Sequence, residues 1–243
     1  MADFFRRALI GGEFAVRLAR MQPRHTSSAY ADLVEKDVAR SFPKHPVVVW
    51  KKEITVVLNR FASQHSIGYV QGMNFLASGL FWVYVQDCPQ HAVEDTVYSL
   101  PRLLRICLPL YPMNAEDRGP LRFCRAVAQC IGHTFSQWDE NLQSFCEIFI
   151  LHFWPPLFGN MFSLDESLTL WHFFMEADTD RERYARLFVF TVEMIRVHEK
   201  LFSLGGPRAF TLLSDRAMHR MEGIIERARV RGREGSWLSA QTT

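Results

Sequence analysis

Two polar groups in this 243-residue chain stand where a side chain can reach outward and act. Arg40 follows Asp37 by three residues and immediately precedes Ser41-Phe42-Pro43. Gln71 lies between two glycines in Ile67-Gly68-Tyr69-Val70-Gln71-Gly72-Met73-Asn74. A guanidinium presents a fork of donors on a permanent charge, and a carboxylate one helical turn away narrows its rotamers. A side-chain amide held at a bend offers a donor and an acceptor together. Neither string is specific alone. Asp-x-x-Arg is a common surface ion pair worth about 0.2–0.5 kcal/mol, and Gly-x-x-Gln-Gly is an ordinary junction between helices with a solvated glutamine.

The elements that must position these groups read as helices. Tyr30, Leu33, Val34 and Val38 recur at steps of three and four, so residues 30–40 form a helix. Pro43 makes Phe42 a poor α-helical residue, which ends that helix near Ser41. Arg40 then occupies the last turn, where the helix dipole favours a cation. Ile54, Val57, Leu58 and Phe61 define a second helix from Trp50 to Ser63. After the glycine-bracketed junction, Met73 to Val85 is apolar nearly throughout, too short for a bilayer and suited to a helix buried on all sides.

Farther on, Val93, Val97 and Leu100 mark a helix that Pro101 interrupts, with a short one through Leu103, Leu104 and Leu108. Leu121, Cys124 and Ala128 mark another. Leu142, Phe145, Ile148, Phe149 and His152 mark the next, with His152 read as a structural histidine beside its apolar face. Pro155-Pro156 must stop this helix. Ser163 with Glu166 forms a capping-box pattern opening a helix through Leu164, Leu168, Trp171 and Met175. Asp178 to Glu182 lacks the glycine of a calcium loop and reads as a solvated turn. Leu187 to Ile195 and Pro207 to Ile224 supply the last helices. No segment alternates at period two for long, so the fold class is all-α, a single domain of roughly ten helices. The division expected is an N-terminal helical extension at 1–29, the domain at 30–225, and a basic, flexible tail at 226–243 carrying Arg227, Arg229, Arg231 and Arg233.

Several chemistries are excluded. No glycine-rich loop leads into Lys-Ser/Thr, no Gly-x-Ser-x-Gly elbow or His-Glu-x-x-His helix occurs, and the nine histidines have no metal-ligand spacing. A net charge of +2 gives no reason to expect nucleic acid as partner. Five cysteines without a C-x-x-C pair argue against a disulfide framework and for a reduced, cytosolic setting. No secretory signal or membrane-spanning run is visible, so no transmembrane segment is expected; the basic tail offers contact with acidic lipid head groups as the alternative to a free terminus.

Taken together, Val34-x-x-Asp37-x-x-Arg40-Ser41-Phe42-Pro43 resembles the first signature of TBC domains, the Rab GTPase-activating domains, and Ile67-Gly68-Tyr69-Val70-Gln71-Gly72-Met73-Asn74-Phe75 resembles the second. Their order and separation, with one amphipathic helix between, also resemble the family. The likeness extends from about Tyr30 to Leu213. It implies an all-helical Rab-GAP that accelerates GTP hydrolysis in trans, in vesicle trafficking, with no self-contained active site. By this resemblance Arg40 is an arginine finger, Gln71 a glutamine finger that positions water, and Asp37 the group that orients Arg40. Tyr69, Gly68 and Gly72 hold the Gln71 backbone, and Pro43, Met73, Asn74 and Trp154 are candidates for Rab contact. No metal or cofactor belongs to the chain, since GTP and magnesium arrive with the Rab. The partner is a Rab in its GTP-bound state, and attachment to endomembranes is peripheral, through that Rab or the basic tail.

The chain also departs from the family pattern. The third signature resembles Trp-Phe-x-x-Leu-Phe, whereas Phe153-Trp154-Pro155-Pro156-Leu157-Phe158 swaps the aromatic order and inserts two prolines. Trp171-His172 stands where the family often has Trp-Asp, and the part before Tyr30 is shorter than the resemblance suggests. Both substitutions are expected to alter packing beside the Rab surface. They leave open an alternative, a catalytically silent TBC-like scaffold or effector that binds Rabs without activating them.

Overall fold

Met73–Asp87 is apolar nearly all round and buried along most of its length, and five of the other helices are laid on it. The computed structural model describes residues 1–10, 28–112, 116–198 and 221–233 of the chain. Among them are ten α-helices and no strand. In chain order they are α1 (Ala2–Leu9), α2 (Ala31–Arg40), α3 (Lys51–Gln64), α4 (Met73–Asp87), α5 (Ala92–Leu104), α6 (Gly119–Gly132), α7 (Glu140–Phe153), α8 (Leu164–Met175), α9 (Asp180–Val197) and α10 (Met221–Arg233). Short 3₁₀ turns at Pro46–Trp50, Pro89–His91 and Arg105–Leu110 join some of them.

Helices α1, α2, α3, α5 and α8 all pack on α4, which buries Leu76, Ala77, Leu80, Phe81 and Tyr84 completely or nearly so. The stripe Ile54, Val57, Leu58 and Phe61 of α3 is likewise buried, as its spacing requires. At Gly79 a methyl group would stand 2.3 Å from the Trp171 ring, so α4 and α8 meet through a residue with no side chain. The aromatic-rich composition is spent in one continuous core, in which Phe149, Phe158, Phe174 and Phe190 are fully buried. Cys107, Cys124 and Cys146 are free thiols inside it, and burial pushes the Cys124 thiol up to about 12, which keeps it unreactive.

Four expectations change. Pro101 does not interrupt its helix, because α5 runs on to Leu104 before passing into the 3₁₀ turn at Arg105; buried Leu100, Leu103 and Leu104 hold that last turn against the missing N–H. The solvated turn ends at Thr179, whose hydroxyl accepts from the Glu182 N–H at 3.2 Å and whose own N–H donates to the Glu182 carboxylate at 3.2 Å. This second capping box opens α9 alongside the expected one at Ser163. The basic segment 226–233 is no free tail, since it continues α10 and docks on α9. Arg231 Nε lies 2.6 Å and Arg227 Nε 3.6 Å from the carboxylate of buried Glu193, and Arg229 lies 3.1 Å from Glu176. Finally, His172 lies against Phe4 of α1 with ring centroids 4.0 Å apart and its Nδ1 is 3.2 Å from Glu176, so this position forms part of the seat of the N-terminal helix. Residues 11–27, most of the stretch 207–224 and 234–243 lie outside the described residues. No helix among the described residues is long and apolar enough to cross a membrane.

Candidate functional site

The C-terminal end of α2 meets the N-terminal end of α4 through buried polar side chains. Helix α2 stops at Arg40 with Ser41 extended in the cap position, as expected from Pro43 two residues later. Phe42 then turns the backbone at φ 42°, held by an edge-to-face contact with Phe75 at 5.3 Å. At the other end, Met73 N–H donates to Val70 C=O at 3.1 Å and closes the turn Val70-Gln71-Gly72-Met73. Gly72 takes its third position at φ 109°, in the left-handed region that glycine adopts without a Cβ penalty. Gln71 is thereby left exposed at the corner of a tight turn.

Arg40 Nη2 is hydrogen-bonded to Asp37 Oδ1. The two partners differ sharply in setting: the arginine side chain is 66% exposed and the carboxylate 2%. The pair is therefore more than a solvated surface contact, because a buried carboxylate requires partners. The second oxygen, Oδ2, accepts from the Tyr69 hydroxyl at 2.8 Å. Burial and this bond to Asp37 both push the Tyr69 phenol well above its ordinary pKa, so it stays a donor. Asp37 thus links the exposed guanidinium to the strand of chain that leads into Gln71.

Asn74 forms a second link. Its Nδ2 donates to Asp37 C=O at 3.1 Å and to Ser41 Oγ at 2.7 Å, while its Oδ1 accepts from Gly72 N–H at 3.0 Å. Ser41 Oγ in turn donates to Asp37 C=O at 3.1 Å. The Asp37 carbonyl is one of the orphaned acceptors that every helix C-terminus leaves, and both donors to it are side chains.

A groove of about 720 Å³ opens over this junction, and Arg40 and Gln71 both line it with Asp37, Val70, Gly72 and Asn74. The rest of its lining is mixed, with Leu110, Pro120, Leu121, Leu151, Pro155 and Pro156 beside Asp117, His152 and Asn160. The family model for the Rab-GTPase-TBC domain matches residues 16–202. The chain belongs to the RabGAP-TBC family. Among curated proteins none matches it significantly. The crystal structure of the Chlamydomonas flagellar RabGAP TBC domain superposes with a TM-score of 0.61 at 16% identity, over 94% of this chain and 72% of that one. At that identity the likeness is one of fold.

Within this TBC domain the residues singled out from sequence fall into two groups. Arg40 and Gln71 are exposed in one groove, with Asp37, Tyr69 and Gly72 behind them. Gly68, at φ 64°, turns the chain farther back, where a methyl group would meet the Tyr30 ring at 2.6–2.7 Å. The four candidates for Rab contact divide differently. Pro43 is exposed beside the end of α2. Met73, Asn74 and Trp154 are buried, at 0%, 2% and 0% exposure, and offer nothing to a partner. Met73 is the first residue of the core helix, and Asn74 is consumed by the junction. Trp154 turns inward after α7 and donates Nε1–H to Thr191 Oγ1 at 2.9 Å. His152 is also displaced from its expected place, being an exposed residue of the groove rim with its ring edge-on to Phe153. Ser41 escaped the sequence reading, and its one signal was the helix end predicted there. Pro156 was visible as a departure; its ring lies 3.2 Å from where a Gly72 Cβ would be, so the third motif abuts the Gln71 turn.

Proposed function

We propose that this domain accelerates GTP hydrolysis by a Rab-family GTPase in its GTP-bound state, in vesicle trafficking, supplying Arg40 and Gln71 in trans. The observation that carries the reading is that these two exposed side chains, 31 positions apart in the chain, share one groove and rest on one buried network. Phosphoryl transfer needs positioning and charge stabilisation and little covalent chemistry. Arg40 would enter the Rab site and neutralise charge developing on the transferring phosphoryl group. Asp37 restrains it, so less rotamer freedom is lost on docking. Gln71 would orient the attacking water with its paired donor and acceptor. GTP and magnesium would both come with the Rab.

Hydrolysis by a panel of GTP-loaded Rabs tests this. The wild-type chain accelerates at least one member, and Arg40→Ala lowers that rate by about 10³-fold or more, or roughly 4 kcal/mol of barrier. Acceleration of no Rab sinks the catalytic reading. Rab binding that is unaffected by Arg40→Ala and brings no acceleration would mark a silent scaffold instead.

A further inference from the structure

Asn74 is buried, and beside the Asp37 carboxylate it is a second side chain bonded to both halves of the site. Both amide hydrogens are committed to the α2 end, at Asp37 C=O and Ser41 Oγ, and its oxygen accepts from the Gly72 N–H of the Gln71 turn and, at 3.3 Å, from the Tyr69 hydroxyl. The orientation of the amide is fixed by these partners, because only the oxygen can accept from an N–H and only the nitrogen can donate to a carbonyl. Ser41 donates to the same carbonyl that Asn74 does, which closes a ring of bonds around the last turn of α2. Behind it, Ser78 Oγ donates to Asn74 C=O at 2.7 Å and anchors the residue's own backbone in α4.

We infer that Asn74 is a positioning residue that couples Arg40 to Gln71, so that the two fingers are held as one unit. Its loss frees the Gly72 amide and leaves the Asp37 carbonyl with the Ser41 hydroxyl alone. The Gln71 turn and the Arg40 helix end are then joined by side chains only through Tyr69 and Asp37, and their relative position loosens. The inference rests on the GTPase-activating reading for its kinetic consequence, while the mechanical link can be measured in the free chain.

Two experiments decide it, both on the full chain. In the first, steady-state hydrolysis is measured with a Rab that the wild type accelerates. Asn74→Ala lowers kcat by about 10²-fold, the scale of a displacement near 1 Å, with KM within about twofold because no Rab contact is removed. In an Arg40→Ala or Gln71→Ala background the same change costs less than about fivefold, since the unit is already broken. Equal losses in all backgrounds, or a change in KM alone, would overturn the coupling. In the second, amide hydrogen exchange is followed at Gly72 without any Rab. Ser41→Ala removes a group that never touches the Gln71 turn, yet it quickens Gly72 exchange by about tenfold, the factor expected for weakening one hydrogen bond. Unchanged exchange at Gly72 overturns the link. Ser41→Ala also carries the kinetic test if Asn74→Ala does not fold, with a smaller drop in kcat at unchanged KM. If no Rab is accelerated, the function falls, and the exchange experiment still decides the coupling.

Discussion

The two turns that border the groove are built by opposite means. The Val70–Met73 turn is held by hydrogen bonds, Met73 N–H to Val70 C=O and Gly72 N–H to Asn74 Oδ1, and its exposed product is Gln71. The turn at Trp154–Phe162 is held by burial. Leu157 and Phe158 sit at φ 46° and 64°, a costly conformation for bulky residues. They are kept there by full burial and by bonds from Trp171 Nε1–H to Leu157 C=O at 2.8 Å and from Tyr111 OH to Pro155 C=O at 2.8 Å. The same region carries the swapped Phe153-Trp154 pair and the two prolines. An aromatic wall accepts a change of order if each ring still finds volume and each polar atom a partner. A network whose every donor is assigned does not accept substitution so readily.

The comparison predicts a separation of effects. The largest is on activity: Arg40→Ala and Gln71→Ala should cost orders of magnitude in Rab-stimulated hydrolysis. The urea midpoint should move little for Gln71→Ala, whose side chain is exposed, and should fall for Arg40→Ala, which leaves the buried Asp37 carboxylate without its counter-charge. On the other side of the groove, Phe158→Ala should lose about 3–5 kcal/mol of stability, read from urea unfolding. If Phe158→Ala left stability intact, the contrast between the two turns would be broken. Gly72→Ala belongs to both sides. A methyl at φ 109° against Pro156 should cost about 1–2 kcal/mol and should also displace Gln71, lowering kcat out of proportion to the stability lost.

The smallest effect is at alkaline pH. Burial holds Tyr69 protonated well above pH 10, so folding favours the neutral phenol. That contribution is fully present below pH 10 and is lost as the pH climbs above it, where the unfolded phenol ionises first. Tyr84, Tyr111 and Tyr184 are pushed the same way by burial. The wild-type stability should therefore fall above pH 10 with several tyrosines contributing. Tyr69→Phe should make that fall shallower by up to one proton's worth, while costing about 1–3 kcal/mol at neutral pH through the partner lost to Asp37. Urea midpoints between pH 8 and 11 measure both, and an unchanged alkaline slope would place the Tyr69 hydroxyl in water.

Much of the site was legible from residue order. The end of α2 at Ser41, the turn at Gly72, the buried character of α4 and the stop at Pro155 each follow from local rules about proline, glycine and hydrophobic period. Those rules act over a few residues, and that is also their limit. Met73, Asn74 and Trp154 were expected at the partner surface and lie inside, because period analysis cannot say which neighbour a face will meet. The bonds that join the site span 32 to 37 residues, from Tyr69 to Asp37 and from Asn74 to Ser41 and Asp37. The chain order determined that an arginine would stand at one helix end and a glutamine at another. Only the packing of α2 against α4 decided that these ends meet, since hydrogen bonds with strict geometry form where the buried apolar faces have already brought their partners within reach.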